Sequence, residues 1–130
     1  MLKAKGEKLF MSNIILKSKE NFTSTELYSL MKSPNIEKMS EHAGKTIDME
    51  SYMVYEKADY TTGEMKKVLV IKPRGEHALA TNSVTCITEF EDIYNMFKES
   101  NELDKFTKIE ILKKTSKKGR QFITCALVEQ

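Results

Sequence analysis

Residues 46–72 read TIDMESYMVYEKADYTTGEMKKVLVIK, and the period of this stretch decides the fold. Ile47, Met49, Met53 and Tyr55 recur at every second position with Ser51 among them, while Asp48, Glu50, Tyr52 and Glu56 fill the positions between. A period of two marks a strand with one buried and one polar face, because successive side chains leave a pleated backbone on opposite sides. Thr62 and Gly63 supply a turn. From Met65 to Lys72 the chain holds the unbroken apolar block Val68, Leu69, Val70 and Ile71, as a strand buried on both faces or nearly so requires.

Outward from this pair, Pro73, Arg74 and Gly75 break the second strand, and a third is expected from His77 to Asn82. Thr88 and Glu91 have capping-box spacing, and Phe90, Ile93, Tyr94 and Phe97 stand at i, i+3, i+4 and i+7, one buried face of a helix. Period two then returns with Ile109 and Ile111. A polar turn over 115–119 leads to a last strand, 120–128, in which Ile123, Cys125 and Leu127 point inward and Phe122, Thr124 and Ala126 outward. Before the first strand, Thr23 and Glu26 predict a short helix over 24–32, and Pro34 opens a second whose buried face is Ile36, Met39 and Ala43 and whose stop is Gly44.

The resulting order is strand, strand, strand, helix, strand, strand after two small helices. It predicts a mainly β chain: a five-stranded OB-fold barrel with its helix between the third and fourth strands plugging the barrel bottom. Residues 1–12 are expected to be a basic, flexible N-terminal arm and 13–130 a single domain, with 13–44 a helical extension and 45–129 the barrel. A chain of 130 residues accommodates one such core and little more.

Composition excludes several classes of function. No run of apolar residues approaches the ~18–20 that a membrane span needs, so no membrane partner is expected. Cys86 and Cys125 lie far apart in sequence without metal-ligand spacing, which argues against a structural zinc site and for a reducing compartment. His42 and His77 are isolated, the first read as a partner for a helix dipole and the second as a surface strand residue. Gly63, Gly75 and Gly119 stand singly at turns rather than in a phosphate-binding loop. No cofactor and no catalysis are expected. The one metal-binding alternative, a small nuclease, would use Asp48, Glu50 and Glu56 on one strand face.

Charge points to a polyanion. The net charge is only +2, yet residues 1–19 carry five lysines against Glu7, and 105–120 carry seven basic side chains against Glu110, around an acidic middle. Only Arg74 and Arg120 are arginines among 21 basic residues, which suits phosphate contact more than bidentate reading of bases. In the expected barrel two loops overhang a nucleic-acid cleft. The first, 59–64, is followed by Lys66 and Lys67; the second holds Lys113, Lys114, Lys117, Lys118 and Arg120. Lys72 and Arg74 extend the basic set along the second strand. Unpaired bases need flat surfaces to stack on, and Tyr52, Tyr60 and Phe122 are the aromatics expected on polar faces or loops.

The stretch 46–72, the following ALATNSVTCITEFEDIYNMF and the terminal IEILKKTSKKGRQFITCALV together resemble the small single-stranded DNA-binding proteins of Gram-positive phages and conjugative elements. That resemblance implies an OB fold that coats exposed single strands in replication, recombination or transfer, without catalysis, in the cytoplasm of a bacterial or phage-infected cell. Single-stranded RNA is a second candidate ligand, and the N-terminal segment is a candidate for homo-oligomerisation. The acidic C-terminal tail through which bacterial single-strand binders recruit partners is not expected, because the sequence stops at Glu129 and Gln130. The alternative reading is an OB-like protein-interaction module of a mobile element that uses the acidic middle and binds no nucleic acid.

Overall fold

The computed structural model describes residues 13–59 and 61–129; the expected arm, 1–12, and Tyr60 lie outside the described residues. Its strands are β1 (Ile14–Lys17), β2 (Glu37–Lys38), β3 (Thr46–Ala58), β4 (Met65–Pro73), β5 (Leu79–Thr81), β6 (Lys108–Thr115) and β7 (Gln121–Leu127). Two helices, α1 (Ser24–Met31) and α2 (Val84–Glu99), complete a mainly β chain. The strands form one strongly curled, half-barrel sheet in the order β2-β5-β4-β3-β6-β7, with β1 paired to β3. No helix among the described residues is long and apolar enough to cross a membrane.

β3 organises the sheet because it is long enough to serve two neighbourhoods. Its first residues pair with β6, Thr46 opposite Glu110 and Asp48 opposite Lys108, while Met49 to Ala58 pair with β4 and Met53 to Tyr55 also take β1. Between Met49 and Ser51 the register with β4 shifts at a bulge. An extra residue in one strand reverses the alternation beyond it. Ile47 and Met49 therefore enter the main core, and after the bulge Tyr52 and Val54 follow them, while Met53 and Tyr55 turn to the opposite face. This overturns the expected alternation, which carried a single parity through Tyr55.

Both sheet faces are thus covered. The main core lies under α2, where Phe90, Ile93 and Tyr94 meet Leu69, Ile71, Ile109, Ile111 and Ile123. On the other face Met53, Tyr55, Val70 and Ala78 are covered by Leu30 of α1, with Leu27, Met31 and Phe22 alongside. α1 starts as its sequence predicts: Thr23 Oγ1 accepts the Glu26 amide at 3.1 Å and Glu26 Oε1 accepts the Thr23 amide at 2.8 Å.

Elsewhere the N-terminal segment departs from the helical expectation. Residues 14–17 form a strand on β3. The helix expected from Pro34 is replaced by β2, whose first amide donates from Glu37 to the Ala78 carbonyl at 2.9 Å, and by a 3-10 turn, Met39–His42. The helical spacing fails because Ile36 packs into the outer cluster and Met39 into the main core, and one helix face cannot reach both sides of a sheet. α2 also begins earlier than Thr88. Ser83 is its cap, and buried Cys86 and Ile87 extend the apolar face backward to meet it.

Candidate nucleic-acid interface

The β6–β7 hairpin projects the most basic stretch of the chain. Ser116 organises its turn, its amide donating to the Arg120 carbonyl at 2.8 Å and its hydroxyl accepting the Arg120 amide at 3.2 Å. Gly119 sits at φ +82°, a conformation that suits a residue without Cβ. Lys113, Lys114, Lys117, Lys118 and Arg120 are all exposed, and none of them has an ion-pair partner among the described residues. Like charges at this density repel one another, and an anion set against them relieves that repulsion. Phe122, half-buried, stands opposite Lys114 across the ladder, so the ring and the ammonium stem share one face.

The other predicted cations are differently placed. Lys66 Nζ lies 3.0 Å from Asp59 Oδ2, and that contact, with the Thr61 amide, holds the Asp59 carboxyl below its ordinary range. Lys67 is 3.1 Å from Glu91 on α2. Arg74 Nε reaches Asp48 Oδ1 at 3.5 Å, and Lys72 Nζ donates to the Pro73 carbonyl at 3.2 Å. Four members of the expected set therefore already have protein partners, whereas the hairpin five have none among the described residues.

Tyr52 is a correction. It is 5% exposed, with ring centroids of Phe90, Phe106 and Tyr94 at 5.2, 5.5 and 6.1 Å, and burial pushes its hydroxyl above the ordinary phenol range. The bulge put it there, so it offers no face to a base. Of the three expected stacking aromatics, Phe122 remains partly accessible and Tyr60 lies outside the described residues. The same bulge separates Glu56 from Asp48 and sets the two on opposite faces, so the acidic trio of a nuclease is not assembled; no group of three metal-ligating side chains occurs among the described residues. His42, the last residue of the 3-10 turn, pairs with Glu37 at 2.8 Å.

Three features escaped the sequence reading. α1 covers the outer face of β3 and β4, which removes that face as an open surface. Ser83 Oγ donates to the Ile123 carbonyl at 3.3 Å, fastening the start of α2 to β7 beside the hairpin base. A groove of about 430 Å3 also runs between the beginning of β4 and the beginning of α2, with Lys66 and Lys67 on one side and Asn82 and Val84 on the other. Ser83 was legible as a cap, three residues before Cys86, but the groove needs the fold. Cys86 and Cys125 are free and buried, and the Cys125 thiol, 3.5 Å from the Cys86 carbonyl, is pushed up by its contact with Cys86 and by burial. Comparison with known proteins finds no matching family model, no matching curated protein and no matching solved structure.

Proposed function

We propose that this chain is a sequence-tolerant single-stranded DNA-binding protein on an OB-like half barrel, protecting exposed strands in replication, recombination or transfer. The observation that carries the reading is the contrast in pairing: five exposed hairpin cations without ion-pair partners among the described residues, beside the half-buried ring of Phe122, while Lys66, Lys67 and Arg74 are held by carboxylates. The order β5-β4-β3-β6-β7, with α2 between β5 and β6, is also the order in which an OB barrel arranges its five strands and its helix. Because α1 covers the outer sheet face, the strand follows the hairpin and the adjoining end of α2 rather than lying across β3 and β4. Lysines neutralise phosphates there, and the ring takes a base.

A second reading, as a protein-interaction module, rests on the outer face of α2, where exposed Glu89, Asp92 and Glu99 surround Met96 at 66% exposure. Anisotropy of a labelled oligo-dT at two salt concentrations separates the two. The first reading requires binding that weakens with salt at about −0.7 logarithmic units per neutralised phosphate; the second requires no binding at all.

A further inference from the structure

Two exposed apolar side chains line the groove between β4 and α2: Met65, 47% exposed, and Val84, 78% exposed. Ile87 lies at the same groove and is nearly fully buried, so the groove combines an apolar floor with two apolar rims. Asn82 offers both a donor and an acceptor at its edge. A volume of about 430 Å3 falls within the range of small-ligand sites, and a flat apolar partner there would displace water from Met65, Val84 and Ile87.

The flanking charges identify the partner. Lys66 and Lys67 stand at the rim, but each is already held by a carboxylate, Asp59 and Glu91, so the groove is close to neutral where the hairpin is strongly positive. The first turn of α2 carries no acidic side chain to repel an anion passing it. The Ser83–Ile123 bond joins this turn to β7 at the residue opposite Lys113, so the start of α2, which lines the groove, is tied to the strand that carries the basic hairpin. An occupant with a flat apolar part for the groove and anionic linkages running on to the hairpin is a nucleotide within a strand.

We propose that the groove seats one unpaired base of the bound single strand, between Met65 and Val84, with Asn82 at the base edge. This rests on the single-strand-binding reading and adds to it a second, salt-insensitive contact distinct from the phosphate contacts of the hairpin. The near-neutral groove contributes through apolar contact and not through counterion release, so the two parts of the surface differ in their response to salt.

The test is anisotropy with the Met65→Ala/Val84→Ala variant and with Met65→Phe, on oligo-dT and on an abasic oligomer of equal length. Both side chains are exposed, so the variants keep the wild-type melting curve. The double variant is expected to bind oligo-dT about tenfold more weakly with an unchanged salt slope, and to bind the abasic oligomer as the wild type does. Met65→Phe is expected to tighten oligo-dT binding several-fold, because an aromatic ring stacks better than a thioether. The base site is overturned if both variants bind oligo-dT like the wild type, or if the wild type binds the two oligomers equally while retaining its salt dependence. A wild type that binds neither oligomer overturns the single-strand reading and the base site together.

Discussion

Ser83 Oγ donates to the Ile123 carbonyl across 3.3 Å and accepts the Cys86 amide at 3.4 Å, so one hydroxyl caps α2 and fastens it to β7, the last strand in the sheet order. Among the described residues no ladder joins β5 to β7, although only Asn82 separates Thr81 at the end of β5 from Ser83. The half barrel is thus bridged by a side chain at the point where a closed barrel would use backbone.

Removing that hydroxyl has two costs, a missing helix cap and an edge carbonyl left without its partner. Ser83→Ala is expected to lower unfolding stability by about 1–2 kcal/mol. Ser83→Asp keeps the cap acceptor but has no proton for the Ile123 carbonyl, so it is expected to fall between alanine and wild type. Urea titrations of the three proteins check this. An alanine variant as stable as the wild type contradicts the bridge.

Tyr52 is expected to matter for folding and not for binding. Tyr52→Ala empties a site ringed by Phe90, Phe106 and Tyr94 and should cost about 3–5 kcal/mol. Tyr52→Phe should leave oligo-dT affinity unchanged. A Phe variant that loses affinity in anisotropy would return this ring to the interface.

The buried phenols also set an alkaline limit. Burial raises the hydroxyls of Tyr52, Tyr55 and Tyr94 above the ordinary range, so the unfolded chain releases these protons first. Their contribution to stability is complete below the unfolded value of about 10 and is lost as pH rises through the folded values. Urea midpoints should therefore fall as pH rises above about 10, the unfolded value, and those of Tyr52→Phe should fall less. Equal slopes for the two proteins would show that Tyr52 ionises no later in the folded state than in the unfolded one.

Glu91 competes with a strand for Lys67. Glu91→Gln releases the ammonium from its 3.1 Å contact and is expected to tighten single-strand binding a few-fold, with a change in stability of about 1 kcal/mol because the lysine is half exposed while Glu91 is largely buried. Anisotropy and a thermal melt on the same preparation measure both. Weaker binding would mean that Glu91 positions Lys67 for the strand.

Much of this architecture was legible from local pattern. The Thr23–Glu26 box, the apolar block of β4, the aromatic face of α2 and the polar turn at Gly119 all lie where sequence spacing puts them. What spacing could not reveal was set by long-range pairing. A single bulge beyond Met49 moved Tyr52 from the polar face to the core, and the pull of Ala78 and two separate cores on 36–39 replaced a helix with a strand and a turn. For the candidate site, the hairpin cations were readable as a cluster, but which lysines have carboxylate partners depends on pairings such as Lys67 with Glu91, 24 residues apart.

Lys117, Lys118 and Arg120 test the central claim together, because they are exposed and replacing them leaves the core untouched. The decisive measurement is a titration of the wild type and of the Lys117→Ala/Lys118→Ala/Arg120→Ala variant with single-stranded DNA, duplex DNA and single-stranded RNA at two salt concentrations. The wild type is expected to prefer single strands over duplex. The variant is expected to bind more weakly, with a salt slope shallower by about 0.7 for each phosphate that is no longer neutralised. Single-strand binding that is absent, equal to duplex binding, or unchanged in slope by the triple substitution would contradict the account.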